Sequence, residues 1–222
     1  LTTGNVESAR SDTAVLAALT ACVVAVAAAA VTLGQASKLE AVSFVAGAVC
    51  VWLVVKENIW NFPIGIINTA GYAVIFFEAR LYGDASLNVL YCALGIMGWY
   101  LWLRGGERNE PLRVVRATPL ERRLVVLGVV LGTAALWRTV HLAGGASPFW
   151  DALTTSLSLG AQWLLNRKRV ENWILWIVAD AIYVPLYVFR GLNLTAVLYA
   201  VFFVMAVMGL RRWRQVCEVG AV

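Results

Sequence analysis

Charge is scarce in this chain. Only 14% of its 222 residues are Asp, Glu, Lys or Arg, where an ordinary soluble domain carries about 25%. There is one histidine, His141 near the end of an apolar stretch, and one His cannot build a relay or a metal cluster. The four cysteines, Cys22, Cys50, Cys92 and Cys217, show no paired spacing, which argues against a disulfide framework or a zinc site. No Gly-rich phosphate loop is present, so the chain lacks the means to hydrolyse ATP. There is no His-Glu-x-x-His run, and the carboxylates Asp180 and Asp151 have no His partner at depth. An intramembrane enzyme therefore lacks its constellation, and neither a cofactor nor a metal is implied. A secretory signal is not evident either: the uncharged run 13–35 has no basic segment before it and exceeds the usual signal core.

Apolar residues fill the place of the missing charge. They make up 61% of the chain, mean hydropathy is +0.75, and there are ten Trp, a residue that favours the headgroup level of a bilayer. No soluble fold of this size hides so much apolar surface. Nearly uncharged runs at 13–35, 39–56, 58–79, 84–104, 120–141, 148–166, 171–190 and 192–211 predict eight membrane-spanning helices. The second, fifth and sixth are short of strictly uncharged residues. The fifth is the weakest, with Arg122 and Arg123 at one end and Arg138 at the other. Loop charge supports keeping it. With eight spans, 14 basic residues lie on one side and 4 on the other; without the fifth, the split is 10 to 8. The positive-inside rule then places both termini in the cytoplasm. The net charge of +5 is thus read as topology rather than nucleic-acid binding, and the mixed-sign loop 104–121 as a solvated linker.

The chain also matches itself when shifted by 111 residues. Trp52-Leu53 falls on Trp163-Leu164, Asn61 on Asn172, Tyr72 on Tyr183, Met97-Gly98 on Met208-Gly209 and Trp102 on Trp213, among 12 identities over positions 52–104. Each repeat holds three spans and the fifth span joins them, so the repeats enter the membrane in the same direction. The expected organisation is a segment 1–37 with an extra helix, a first three-helix repeat 38–104, a loop and linker helix 105–147, a second repeat 148–214 and a tail 215–222. Transporters with such parallel repeats hold their substrate between the halves, near the midplane. The other reading is a duplicated structural bundle without a substrate, as in a scaffold or receptor subunit.

Polar residues at depth favour a substrate. Asp180 lies midway along the seventh span, where a carboxylate costs roughly 2.5–3.5 kcal/mol on insertion scales and so faces the bundle interior. Trp60, Asn61, Asn68 and Tyr72 recur at helical spacing, as do Asn172, Trp176, Asp180 and Tyr183. Rings and amides on one stripe suit a flat, polar, aromatic ligand. Asn and Thr also join membrane helices to one another, and for each residue both roles stay open. Trp52, Trp102 and Trp213, near helix ends, read as membrane-interface anchors. Gly95, Gly98 and Gly209 allow close helix approach, and Pro185 interrupts the seventh span.

The runs Trp60-Asn61-Phe62-Pro63-Ile64-Gly65, Gly98-Trp99-Tyr100-Leu101-Trp102, Pro148-Phe149-Trp150-Asp151 and above all Glu171-Asn172-Trp173-Ile174-Leu175-Trp176 resemble the PnuC family of bacterial vitamin transporters over about residues 40–214. The resemblance implies an all-α polytopic fold, an extra N-terminal helix plus a 3+1+3 parallel-repeat bundle similar to the SWEET sugar transporters. It implies facilitated uptake of nicotinamide riboside across the bacterial inner membrane, trapped by a cytoplasmic kinase, and assembly as a homotrimer. Relatives carry riboflavin or thiamine instead. Ligand contacts carried over are Trp60, Asn61, Asn68, Gln162, Asn172, Trp173, Trp176 and Asp180; Tyr183 continues the same stripe. Asn88 stands where a Gln is expected in many members, and its shorter reach bears on which vitamin is carried.

Overall fold

The computed structural model describes residues 3–34, 38–78, 80, 82–142, 147–191 and 193–219. Eight α-helices run through them: α1 Thr3–Thr32, α2 Lys38–Val55, α3 Asn61–Glu78, α4 Tyr82–Arg104, α5 Pro119–Leu142, α6 Pro148–Asn166, α7 Asn172–Phe189 and α8 Asn193–Val219. Each expected span falls on one helix. Helices α1, α4, α5, α7 and α8 contain stretches long and apolar enough to cross a bilayer. The others carry polar residues that are turned inward: Ser43 on α2, Asn61 on α3, and Thr154, Ser156 and Ser158 on α6 are all buried. Helix α2 falls short in length rather than hydropathy, its apolar stretch being Ala41–Val55, while the buried polar side chains of α3 and α6 are kept from lipid.

Helix α5, the weakest span by its flanking charge, is among the five. Its start explains how it tolerates Arg122 and Arg123. The Thr118 N–H donates to Glu121 Oε2 at 2.8 Å and the Glu121 N–H donates to Thr118 Oγ1 at 3.2 Å. This reciprocal capping box, with Pro119 at the first helical position, fixes the helix entry. Both arginines then sit in the first turn at the rim, and Arg122 pairs with Glu171 at 2.9 Å.

Within each repeat the middle helix packs on both neighbours, α3 on α2 and α4, α7 on α6 and α8. Between repeats, α2 packs on α8 and α4 packs on α6. First helix against third, in both senses, is the reciprocal pattern of a two-fold arrangement. The shift of 111 residues carries Asn61–Glu78 onto Asn172–Phe189 without remainder. It also brings α1 over α5, and α1 packs on α2 as α5 packs on α6. The resemblance ends there. Helix α1 also reaches α8 and buries Leu16, Val23, Ala27 and Ala30, whereas α5 buries only Thr133 among its residues.

Two tryptophans sew the halves together. The Trp102 indole N–H donates to Leu165 O at 3.0 Å, and the Trp213 N–H donates to Val54 O at 3.2 Å. Residues 102 and 213 are repeat mates, and so are 54 and 165, so the bonds are one contact made twice. The accepting carbonyls lie in the last turns of α2 and α6, and each also accepts the N–H three residues on, Glu57 for Val54 and Lys168 for Leu165, both at 2.9 Å. This corrects the interface-anchor reading. Trp102 and Trp213 are 3% and 0% exposed, because each ring fills the seam between repeats rather than the headgroup layer. Trp52 packs against the same core.

The connection from α4 to α5 is strapped to the second repeat. It passes through a short 3-10 turn, Glu107–Asn109. The Val115 N–H then donates to Lys168 O at 3.1 Å and Val115 O accepts from Val170 N–H at 3.0 Å. Arg169 grips Glu121 Oε1 through Nε at 3.1 Å and Nη2 at 2.9 Å, and Glu171 Oε2 accepts the Ala117 N–H at 2.7 Å.

Candidate functional site

A cavity of about 300 Å³ lies between the two repeats. Thr69 and Asp180, near the middles of α3 and α7, place it at mid-depth. Its wall is built in pairs. Val51 and Gln162, Val54 and Leu165, Phe62 and Trp173, Gly65 and Trp176, Thr69 and Asp180, Tyr91 and Phe202, and Gly95 and Ala206 are all repeat mates, and both members of each pair line it. A space bounded in this way straddles the two-fold axis.

The backbone is paired but the chemistry is not. On the α6–α7 side stand an amide, two indoles and a carboxylate. Their mates on the α2–α3 side are a valine, a phenyl ring, a glycine and a hydroxyl. A symmetric scaffold therefore holds a one-sided binding surface. Gly65 leaves open space on its side of the cavity, where a Cβ would meet only Cys50 Sγ at 3.9 Å.

The polar groups differ in how far they are satisfied. Thr69 Oγ1 donates to Gly65 O at 2.9 Å and lies 3.0 Å from Cys92 Sγ. Gln162 Nε2 donates to Asn166 Oδ1 at 2.9 Å, and Asn166 in turn donates to Leu94 O at 2.8 Å, tying α6 to α4. Asp180 is only 4% exposed, yet no described residue donates a hydrogen bond to it and no basic side chain lines the cavity. The Trp173 indole N–H is likewise buried without a partner.

Five of the residues expected at the site meet here: Asn61, Gln162, Trp173, Trp176 and Asp180. The other five lie outside the cavity. Trp60 is 64% exposed, in the turn before α3. Asn68 sits half-buried beside Thr69, which takes the cavity face at that level. Asn88 is one helical turn before Tyr91 and does not reach the wall. Asn172 is fully buried and donates to Arg169 O at 2.6 Å, as Asn61 donates to Asn58 O at 2.8 Å. The matched asparagines close the turns before α3 and α7. Tyr183 lies one turn beyond Asp180 and packs on Tyr199 at 4.6 Å between ring centroids.

Tyr91, Tyr199 and Phe202 line the cavity from α4 and α8 and were not anticipated. Those helices carry aromatics on several faces, so periodicity alone does not single them out. The repeat offset does pair Tyr91 with Phe202. Phe62 and Trp173 form the inner end of the cavity, each held by a tryptophan behind it. Phe62 meets Trp102 edge to face at 5.0 Å, and Trp173 meets Trp213 at 5.5 Å. Gly98 and Gly209 make room for them: a Cβ on Gly98 would stand 2.5 Å from the Phe62 ring, and one on Gly209 2.6 Å from the Trp173 ring.

Comparison with known proteins agrees with this architecture. The family described as nicotinamide mononucleotide transporter matches residues 37–215. The nicotinamide riboside transporter PnuC of Escherichia coli (strain K12) is 31% identical over 203 residues, covering 80% of this chain and 85% of that protein. The riboflavin/roseoflavin transporter RibM of Streptomyces davaonensis is 26% identical over 180 residues, covering 78% and 83%. Among solved structures, a crystal structure of the vitamin B3 transporter PnuC superposes with a TM-score of 0.72 at 26% identity, over 92% of both chains. With its multi-pass helical bundle, its paired repeats and its central cavity, the chain belongs to the PnuC family of membrane vitamin transporters.

Proposed function

We propose that this protein carries nicotinamide riboside into the cell by facilitated diffusion, and that phosphorylation by a cytoplasmic kinase traps it there. The observation that carries the choice of vitamin is Asp180, a buried carboxylate with no donor among the described residues, in a cavity walled by Trp173, Trp176, Tyr91 and Tyr199. A flat ring bearing positive charge satisfies both features. It stacks on indole and phenol faces and neutralises the carboxylate. The pyridinium ring of nicotinamide riboside is such a ring, and its ribose hydroxyls and carboxamide suit Asn61 and Gln162. The cavity volume of about 300 Å³ lies at the low end of the roughly 300–1,000 Å³ of small-molecule pockets, which favours a one-ring nucleoside over a three-ring flavin.

The relative RibM supports riboflavin as the second reading. A calorimetric titration of the purified protein against nicotinamide riboside, riboflavin and thiamine separates them. Nicotinamide riboside should bind at least tenfold more tightly than the other two; tighter binding of riboflavin overturns the assignment. Thiamine is the control for charge alone, since it carries a cationic ring of different shape.

The same reading places the protein in the bacterial inner membrane with both termini cytoplasmic, because that side then holds 14 of the 18 basic residues. It divides the chain as an N-terminal helix, repeats 38–104 and 148–214, and a linker helix between them. Assembly as a homotrimer belongs to it as well, and sedimentation in detergent tests that.

A further inference from the structure

Glu57 and Lys168 are repeat mates, 111 residues apart, and they touch one another. Lys168 Nζ lies 3.3 Å from Glu57 Oε2. Two mates in contact across a two-fold arrangement sit on its axis. Both have left-handed backbones, with φ of 55° at Glu57 and 51° at Lys168, so the α2–α3 and α6–α7 turns share one shape that aims each side chain at the axis. The two positions carry opposite charges where symmetry would have placed like ones. Both side chains are largely withdrawn from solvent, at 24% and 9% exposure. The Lys168 ammonium also lies 4.4 Å over the Trp102 ring, across the seam.

This pair lies at the end of the cavity where Phe62 and Trp173 form the inner wall. Behind those rings stand Trp102 and Trp213, 6.0 Å apart across the axis. From the cavity outward, the axis is thus crossed by an aromatic layer and then by an ion pair. Under the transport reading, on which this step rests, the basic turns face the cytoplasm. We infer that Glu57 and Lys168 form the latch of the cytoplasmic gate: they hold the two repeats together at this end, and a vitamin leaves for the cytoplasm only when the pair separates. Their role concerns the rate of passage rather than ligand contact, since neither lines the cavity.

Cys50, which lines the cavity, reports the state of the gate without any vitamin. In a protein with Cys22, Cys92 and Cys217 replaced by Ser, a membrane-impermeant maleimide is added to inside-out vesicles and the labelling rate of Cys50 is measured. Glu57→Gln and Lys168→Gln should each label about tenfold faster than the parent, the change expected when one charge-assisted contact is lost. Glu57→Lys combined with Lys168→Glu should return to the parent rate, because the 111-residue offset that relates the two halves carries the observed Lys168–Trp102 contact onto position 57 and Trp213. Parent-like labelling in both single variants overturns the proposal. So does acceleration confined to right-side-out vesicles, or a swapped pair as fast as the single variants. If a single substitution blocks folding, the swapped pair decides: a folded protein at the parent rate supports the latch, and a protein that does not fold overturns it. No vitamin is present, so an error in the vitamin assignment leaves this result untouched.

Discussion

Trp176 and Gly65 occupy the same place in the two repeats, and the difference between them is the difference between a ligand surface and the space it needs. A ring stacked on an aromatic side chain is worth about 1–3 kcal/mol. Trp176→Ala should therefore raise the Kd for the vitamin roughly ten- to hundredfold, with little change in the yield of folded protein, since the ring faces the cavity. A titration of the purified variant that returns the parent Kd would make Trp176 packing. Trp176 and Asp180 are legible in the sequence because polar and aromatic residues recur on one helical face of an otherwise apolar span, whereas Trp173 lies off that stripe and comes only from the family resemblance. Asn61 and Asn172 were legible as a matched pair, but their main work is local: both amides close the turn before their helix. Periodicity does not distinguish an amide that holds its own backbone from one held out to a ligand. Tyr91 and Tyr199 were hidden for the opposite reason, because α4 and α8 carry aromatics toward lipid and cavity alike.

Helices meet closely where glycine permits, and the matched Gly98 and Gly209 show what that closeness is for. Each lies against the ring that ends the cavity, Phe62 for one and Trp173 for the other. Gly209→Ala would place a methyl group 2.6 Å from the Trp173 indole, which has Trp213 behind it and cannot retreat. Overpacking of this kind costs about 1–3 kcal/mol. The variant should lose several degrees of thermal stability in detergent and bind the vitamin more weakly, because Trp173 must tilt. Gly128→Ala on α5 is the counterpart. Nothing stands within 4 Å of the added carbon, so the variant should be as stable as the parent or gain about 0.5–1 kcal/mol from lower backbone entropy in the unfolded chain. Scanning calorimetry of both proteins checks the contrast; equal losses would mean that α5 is packed where it stands open. Helix number and repeat offset were fully legible, because runs near 20 residues and a gapless shift leave little freedom. Which face of α4 and α8 turns inward is not legible, and so the sequence alone points Trp102 and Trp213 at the headgroups although both are buried in the seam. A position near a helix end fixes depth but not direction.

For the whole molecule the two-fold arrangement sets what transport can be. Both repeats run the same way through the bilayer, so reporters fused after Asn109 and after Val219 should both read cytoplasmic, as the 14-to-4 division of basic residues requires. An external reading at the C-terminal fusion would remove one span from the bundle. The axis also bears on energy coupling. Proton-driven carriers use chains of ionisable groups at depth. Here the cavity wall holds a single carboxylate, Asp180; its mate is Thr69, and no His or basic side chain joins them. One acid that faces the ligand can balance a cationic ring, but it has no second group to hand a proton to. Uptake of labelled nicotinamide riboside into proteoliposomes should therefore stop at equal concentrations inside and outside, with or without an imposed pH difference. Asp180→Asn keeps the shape of the side chain and removes its charge. It should weaken binding of the cationic ring by roughly tenfold or more while still permitting equilibration at high substrate. Accumulation above equilibrium in the parent under a pH difference, lost in Asp180→Asn, would show that Asp180 is a relay and that the cavity is driven rather than merely filled.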